Sequence, residues 1–148
     1  MIAIGSDHGG FALKQALIKY FIEKGYPFQD FGTNDEASVD YPDYGIKVGE
    51  AVVKGGYDFG IVLCGTGIGI SISTNKVKGV RCALIHDVHT ATLAKQHNNA
   101  NVIALGGRTT FIEDAIAMVE AFKNEHYEPR HQKRLDKMLK YEGGNSCE

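Results

Sequence analysis

The sequence predicts an α/β domain in which a parallel β-sheet has helices on both of its faces. Short apolar runs alternate with longer segments of helical periodicity about five times along the chain. Strands and helices that alternate in this order form βαβ units, which place parallel strands side by side. The 148 residues suffice for one such domain, and no internal repeat or linker divides them. We therefore predict a single domain over residues 1–148.

The first half of the chain is predicted to contain three strands and two helices. Residues 2–5 form a short apolar run typical of a buried strand, and residues 26–32 form a weaker one. Between them, residues 11–24 repeat apolar side chains at helical spacing until a glycine ends the helix. These side chains are Phe11, Leu13, Leu17, Ile18, Phe21 and Ile22. A polar loop leads to a second helix over about 44–53, and the clearest strand, 58–64, follows.

The second half is predicted to contain two strands and three helices. Residues 80–85 and 101–107 are its two apolar runs. The helix between them, 87–97, begins at an aspartate, which is a favourable N-cap. A further helix over 112–122 follows the last strand, and a helix over about 127–141 lies near the end of the chain. Because this last helix comes so late, we expect it to extend from the domain and contact a neighbouring subunit.

Composition and charge argue against several classes of function. The formal net charge is −2, so nothing in the overall charge favours binding to nucleic acid or to an anionic membrane. No stretch approaches the ~18 consecutive apolar residues of a membrane span, and the first residues lack the pattern of a signal peptide. The cysteines, Cys64, Cys82 and Cys147, are odd in number and unpatterned. A disulfide framework is therefore not expected, and the sequence predicts a cytoplasmic protein.

Polar and glycine residues follow three of the predicted strands, at positions 5–8, 64–67 and 105–108. Right-handed crossovers bring the carboxyl ends of parallel strands to one edge of the sheet, where such folds bind ligands. We therefore expect these three segments to meet at that edge and to form the functional site.

The glycines of the stretch IVLCGTGIGIS, residues 61–71, allow two interpretations. A dinucleotide fingerprint is excluded because Ile70 replaces its third glycine and the stretch follows the third strand. A P-loop is excluded because no Gly-Lys-Ser/Thr follows, and a cysteine phosphatase loop would need arginine at position 70. The glycines form either a tight strand–helix turn without a ligand, or a nest of backbone N–H groups that binds an anion.

Cys64 ends the same strand and has two possible roles. A buried cysteine is most often an inert core residue. At a strand end that faces a helix N-terminus, however, the local field favours the thiolate and lowers the thiol pKa below its free value of ~8.5. Cys82, in contrast, falls within a predicted strand and is expected to be only a core residue.

Histidines and arginines in the second half also allow structural or functional roles. His97 either caps the C-terminus of its helix, where a cation is favourable, or acts as an acid–base group. His86 and His89 are spaced like metal ligands but lack convincing third and fourth ligands, so we predict no metal site. Arg130 and Arg134 lie one helical turn apart and form either a solvated basic face or a clamp for phosphate.

Five motifs occur along nearly the whole chain: GSDHGGFALK (5–14), DYPDYG (40–45), CGTGIGISISTNK (64–76), QHNNANVIALGGR (96–108) and RHQKR (130–134). Together and in this order they resemble the type B ribose-5-phosphate isomerases, within the ribose/galactose isomerase family. The resemblance implies a Rossmann-like, three-layer αβα sandwich with a five-stranded parallel sheet. It also implies a dimer or tetramer with active sites shared between subunits, and a sugar phosphate substrate without a cofactor or metal.

The resemblance implies a catalytic role for four of the matching residues. Cys64 corresponds to the catalytic base and His97 to the group that opens the sugar ring, with Thr66 and Asp7 as further catalytic residues. One branch of the family carries a glutamate further along the loop instead of the cysteine. Here Ser71 stands in that region and Cys64 is present, which indicates the cysteine branch.

The residues implied to bind the substrate form a larger set: Asp7, His8, Gly65, Thr66, Gly67, Ile68, Gly69, Asn98, Arg108, Arg130, His131 and Arg134. The loop 65–69 matches the family's anion hole, with Asn98 beside it, while Asp7 and His8 hold the sugar end. The arginines match phosphate-binding residues, and Arg130 and Arg134 are expected to come from a partner chain with His131 assisting them.

The implied reaction interconverts D-ribose 5-phosphate and D-ribulose 5-phosphate. After ring opening, a proton moves between neighbouring carbons through a cis-enediolate, whose oxyanion needs fixed donors such as backbone N–H groups. Two alternatives stay open. One is an isomerase of hexose 6-phosphates of the allose or galactose type, for which the loop 40–45 helps to set the pocket length; the other is a non-catalytic module that binds sugar phosphates.

Overall fold

The computed structural model describes residues 1–143, and the predicted tail cysteine, Cys147, lies outside this range. Its strands are β1 (Ile2–Ser6), β2 (Phe28–Asp30), β3 (Phe59–Cys64), β4 (Cys82–Leu84) and β5 (Val102–Gly106). Its helices are α1 (Phe11–Lys24), α2 (Tyr41–Lys54), α3 (Ile68–Thr74), α4 (Val88–Gln96), α5 (Ile112–Asn124) and α6 (Gln132–Gly143), with a 3₁₀ turn (Pro129–His131) before α6. The strands form one parallel sheet in the order β2-β1-β3-β5-β4.

Helices cover both faces of the sheet, because successive side chains of a strand point to opposite faces. One face packs Ile61 and Leu63 of β3 against α1, α4 and α5. The other face packs Val62 against Val48 of α2 and Ile70 of α3. The predicted αβα sandwich with a five-stranded parallel sheet is confirmed. None of the helices within the described range is long and apolar enough to cross a membrane.

The predicted apolar face of α1 is wrong at its C-terminal end and omits a charged residue. Ile22 is 65% exposed, and Lys14 is fully buried. The Lys14 ammonium lies 2.8 Å from both carboxylate oxygens of Asp30, at the end of β2. Such a partner is needed because an unpaired buried charge is costly to desolvate. Helical periodicity could not predict this pair, since Asp30 belongs to another element.

α2 begins earlier than predicted, within the segment expected to be a polar loop. Its first residue is Tyr41, and Pro42 lies in its first turn. Proline is tolerated there because the first N–H groups of a helix have no partner within the helix. Asp40 precedes the helix in an extended conformation, as an N-cap residue does. The correction matters for the site, because it fixes Tyr41 on a rigid element.

The predicted terminal helix consists of the 3₁₀ turn followed by α6. Its approach is held by the Glu128 N–H, which donates to the carbonyl oxygen of Gln96 at the end of α4 (2.9 Å). Leu135 is buried on α6. Several large apolar side chains of α6 are exposed: Met138, Leu139 and Tyr141. The predicted contact with a neighbouring subunit stays a prediction.

Candidate active site

The carboxyl ends of three adjacent strands, β1, β3 and β5, meet at one edge of the sheet. Ser6 pairs with Leu63, and Cys64 pairs with Gly106, so the segments that follow these strands lie side by side. The chain reverses its strand order between β1 and β3, which is the place where ligands bind in open α/β sheets. The expectation that the three segments meet is confirmed.

Cys64 is the last residue of β3 and is 5% exposed. Its Sγ accepts a hydrogen bond from the backbone N–H of Gly67 at 3.1 Å. A donor aimed at sulfur stabilises negative charge on it. The thiol also contacts the core cluster between the sheet and the helices α2 and α3. Cys64 therefore lies at the boundary between the core and the loop, with the sulfur bound to the loop.

The glycines after Cys64 are required by two close approaches. Gly67 has φ +79°, and a Cβ at this position would lie 2.7 Å from the side chain of Leu84 and 2.9 Å from the backbone of Leu105. A Cβ on Gly69 would lie 2.6 Å from the ring of Tyr41. All three distances are shorter than real Cβ contacts, so only glycine lets the loop turn as it does. The sequence predicts Tyr41 in the polar loop before the helix over about 44–53, and this prediction does not reveal its contact with the glycine loop.

Asp7 and His8 follow β1 and face the same edge. The Asp7 carboxylate is buried and accepts a hydrogen bond through Oδ1 from the Gly10 N–H (3.0 Å). The Nδ1 atom of His8 accepts a hydrogen bond from the Val39 N–H (3.2 Å). In the neutral ring the proton then lies on Nε2. This hydrogen bond therefore leaves the Nε2–H of His8 as the group that can donate to a ligand.

Arg108 places a positive charge beside the glycine loop. Its backbone N–H donates to the carbonyl oxygen of Gly65 (2.9 Å). The guanidinium lies against Gly65 and Gly9: a Cβ on Gly65 would be 3.0 Å from Nη1, and one on Gly9 would be 3.3 Å from Cζ. The exposed Thr66 hydroxyl accepts from the Ile68 N–H (3.2 Å). One chain therefore unites Asp7, His8, Cys64, the loop 65–69 and Arg108 as a first group.

A second group forms around His97, which is the C-cap residue of α4, one of the two roles that the sequence allows. The rings of His97 and His131 are stacked, with centroids 4.3 Å apart and an angle of 38° between their planes. Arg134 Nη1 lies 3.4 Å from Nδ1 of His131, and Arg130 donates to Glu128 Oε1 (3.0 Å). Burial lowers the pKa of His131 from its ordinary value, and the neighbouring cationic groups lower it further.

The second group lies at the opposite edge of the sheet. The chain leaves α4 at Gln96 and enters β5 at Val102, which pairs with Gly60 near the amino end of β3. Cys64 ends the same strand, about 13 Å further along it. No side chain that follows α4 can span that length, so the two groups do not meet within one chain.

Asn98 belongs to the second group as well. It is exposed and lines a pocket with Arg81 and Cys82, at the amino ends of the strands. Within a single chain Asn98 therefore does not lie beside the glycine loop, and its implied place beside that loop stays a prediction that requires a partner chain. His97, Asn98, Arg130, His131 and Arg134 are brought together with one another, and not with Cys64. The acidic member, Glu128, was missed because nothing in its spacing to His97 reveals the contact.

Comparison with known proteins assigns the family. A model of the family described as Ribose/Galactose Isomerase matches residues 2–138. The chain belongs to this family. The matched range contains both groups of candidate residues, and the resemblance of the five motifs is confirmed.

Members of the ribose/galactose isomerase family match along almost their whole length. Ribose-5-phosphate isomerase B of Escherichia coli is 42% identical over 136 residues, which cover 91% of each protein. A galactose-6-phosphate isomerase subunit of Clostridium acetobutylicum is 41% identical, over 97% of this chain and 86% of that protein. A solved structure is that of ribose-5-phosphate isomerase B from Mycoplasma genitalium with bound ribulose 5-phosphate, whose sequence is 39% identical to this chain. It superposes with a TM-score of 0.91 and covers 97% of both chains.

Proposed function

We propose that this chain interconverts D-ribose 5-phosphate and D-ribulose 5-phosphate. The observation that carries the proposal is the hydrogen bond from the Gly67 N–H to Cys64 Sγ, which sets a thiol beside a loop of backbone amides. Two findings support the substrate: E. coli ribose-5-phosphate isomerase B covers nearly the whole chain, and the similar M. genitalium structure holds ribulose 5-phosphate.

The chemistry requires a base and oxyanion donors on either side of two neighbouring carbons. The Cys64 thiolate takes the proton from C2 of the open aldose, the C–H electron pair forms the C1–C2 double bond, and O1 becomes an oxyanion. The amides of the loop 65–69 stabilise this oxyanion, as preoriented donors do. The thiol then returns the proton to C1, the proton on O2 passes to the O1 oxyanion, and O2 becomes the carbonyl oxygen. No electron leaves the sugar, so the proposal needs no redox cofactor.

The substrate enters mainly as a closed ring, and its phosphate must be held away from the reacting carbons. We assign ring opening to His97 and phosphate binding to Arg130, His131 and Arg134, with Arg108 on the Cys64 side. Remote contacts to the phosphate position the open chain, and this binding energy lowers the barrier at the reacting carbons.

The distance between the two groups requires a second copy of the chain in this proposal. In a pair related by a two-fold axis, the Cys64 edge of one chain faces the His97 edge of its partner, and the arrangement repeats at a second site. Two exposed isoleucines support such a contact: Ile68 is 51% and Ile72 57% exposed, one turn apart on α3. A dimer therefore contains two complete sites, and a tetramer four.

The relative from C. acetobutylicum supports one alternative substrate, galactose 6-phosphate. The segment that leads from Val39 into the first residue of α2 governs the choice of substrate, because the Val39 N–H donates to His8 and Tyr41 packs on Gly69. A hexose phosphate is longer by one carbon, so it needs a wider separation between the reacting carbons and the phosphate clamp. The pentose is our assignment; a cytoplasmic location also stays a prediction.

The proposed function is tested by turnover assays on purified protein. Ribose 5-phosphate, allose 6-phosphate and galactose 6-phosphate are supplied separately, with and without a metal chelator. We expect the highest kcat/KM for ribose 5-phosphate and no loss of activity on adding the chelator. A higher kcat/KM for either hexose phosphate would overturn the substrate, and loss of activity with chelator would overturn the metal-free proton transfer. Binding of all three without turnover would identify a non-catalytic module.

A further inference from the structure

We propose that His97, Glu128 and His131 form a reversible site for a divalent cation that prefers imidazole ligands, above all Zn²⁺. We further propose that the bound cation excludes the sugar phosphate. The second statement rests on the proposed function of His97 and its neighbouring arginines. The first depends only on the geometry of the three side chains.

Each of the three residues offers a ligand atom within 4.8 Å of the other two. The backbone already fixes their relative position. Glu128 donates its N–H to the Gln96 carbonyl oxygen, next to His97 (2.9 Å), and the His131 N–H donates to the Glu128 carbonyl oxygen (3.1 Å). Two segments that are distant in sequence are thereby joined at this point.

The Nε2 atom of His131 is a second, independent indication of a ligand-binding site. The side chain is buried, with 7% of the residue exposed, and Nε2 has no hydrogen-bond partner within residues 1–143. Glu128 Oε1 is 3.6 Å away, too far for a hydrogen bond. Buried polar atoms nearly always have a hydrogen-bond or metal partner. A ligand that contacts both His131 Nε2 and the Glu128 carboxylate would supply one.

The donor set selects the cation. Two imidazoles and one carboxylate match the ligands of an open zinc site, which leaves a fourth position for water. Mg²⁺ and Ca²⁺ prefer sets made of oxygen ligands and are therefore poor competitors. Zinc–ligand bonds of about 2.0–2.2 Å require the three atoms to approach to about 3.3 Å of one another. His97 and Glu128 are half-exposed, which leaves them free to make this movement.

The neighbouring arginines make the site reversible and link it to the substrate. Arg130 donates to the same Glu128 oxygen that a cation would use, so binding displaces an exposed guanidinium. Arg134 lies beside His131, and its charge opposes a cation. The affinity is therefore lower than that of a structural zinc site. A cation bound at this point also occupies the imidazole of His97, which we assign to ring opening. It prevents His131 and the two arginines from binding the phosphate.

Direct binding tests the cation site without reference to activity. Zn²⁺ is titrated into the wild-type protein, Glu128→Gln and the matched control Glu113→Gln, in competition with a chromophoric chelator. Glu113 is exposed at the start of α5, outside the cluster. We expect one Zn²⁺ per chain for wild type and control, and at least about tenfold weaker binding for Glu128→Gln. Equal affinity of all three proteins would overturn the site.

Substitution of Co²⁺ identifies the ligands. A bound Co²⁺ without a thiolate charge-transfer band supports the His–Glu–His set, and a thiolate band would overturn it in favour of a cysteine site. Inhibition is then measured by varying ribose 5-phosphate at fixed Zn²⁺. We expect competitive inhibition, weaker in Glu128→Gln. Zinc bound at the cluster without competition would overturn the exclusion of substrate, whereas an enzyme inactive on sugar phosphates that binds zinc there would overturn only the proposed function.

Discussion

Replacing Cys64 with alanine is expected to lower kcat for ribose 5-phosphate by about 10²–10⁴-fold, the range for loss of an acid–base group. The affinity for the substrate should change little, because no phosphate-binding residue is altered. The structural basis is the position of Sγ, at the end of β3 and 3.1 Å from the Gly67 nitrogen. The measurement is steady-state kinetics together with calorimetric binding of ribulose 5-phosphate.

Cys82→Ala is the matched control for this substitution. Cys82 contacts the same core cluster, and burial raises its pKa to about 12, so its thiol stays protonated at neutral pH. We expect the control to keep wild-type kcat and KM. A Cys64→Ala enzyme that retains more than a small fraction of wild-type turnover would remove Cys64 from the role of base. A loss of turnover shared by both variants would point to damage to the core.

Replacing His97 with asparagine is expected to slow the turnover of a ring-closed substrate far more than that of an open-chain one. Ribose 5-phosphate forms a five-membered ring, whereas erythrose 4-phosphate cannot, because its O4 carries the phosphate. If His97 moves the proton that opens the ring, the loss for ribose 5-phosphate is about 10²–10⁴-fold, and the loss for erythrose 4-phosphate is much smaller. The ratio of the two kcat/KM values reports the effect.

His89→Asn serves as the control for His97→Asn, since His89 is exposed in the first turn of the same helix. This variant should leave both substrates unaffected. An equal loss for ring-closed and open-chain substrates in His97→Asn would contradict a role in ring opening. It would place His97 instead in substrate binding or in the structure of the second group.

The number of strands and their places along the chain could be predicted because each is a short apolar run set between helices. The buried face of α1 was harder to predict from the sequence, since Lys14 is buried only because Asp30 lies beside it. Such a pair depends on contacts between elements, which periodicity along one helix does not contain. The start of α2 was missed for a related reason, because the tyrosines and aspartates of 40–45 resemble a polar loop.

The meeting of the strand-end residues could be predicted from the sequence, whereas the position of His97 relative to them could not be derived from its pattern. The sequence places Cys64 and Asp7 at strand ends, and parallel topology alone brings strand ends together. His97 follows a helix, and a helix that returns to the next strand ends at the opposite edge. The separation of the two groups therefore follows from the connectivity, while their union depends on how two chains pack. The contact of His97 with Glu128 and His131 likewise depends on the path of the C-terminal segment.

The central claim is that each site combines the Cys64 edge of one chain with the His97 edge of another, and mixed oligomers test it most directly. Cys64→Ala and His97→Asn chains are co-expressed with different affinity tags, and the mixed pairs are purified through both tags. Each mixed pair has one intact site and one site lacking both groups, so we predict about half of the wild-type activity per pair. Mixed pairs as inactive as their parents would contradict the claim.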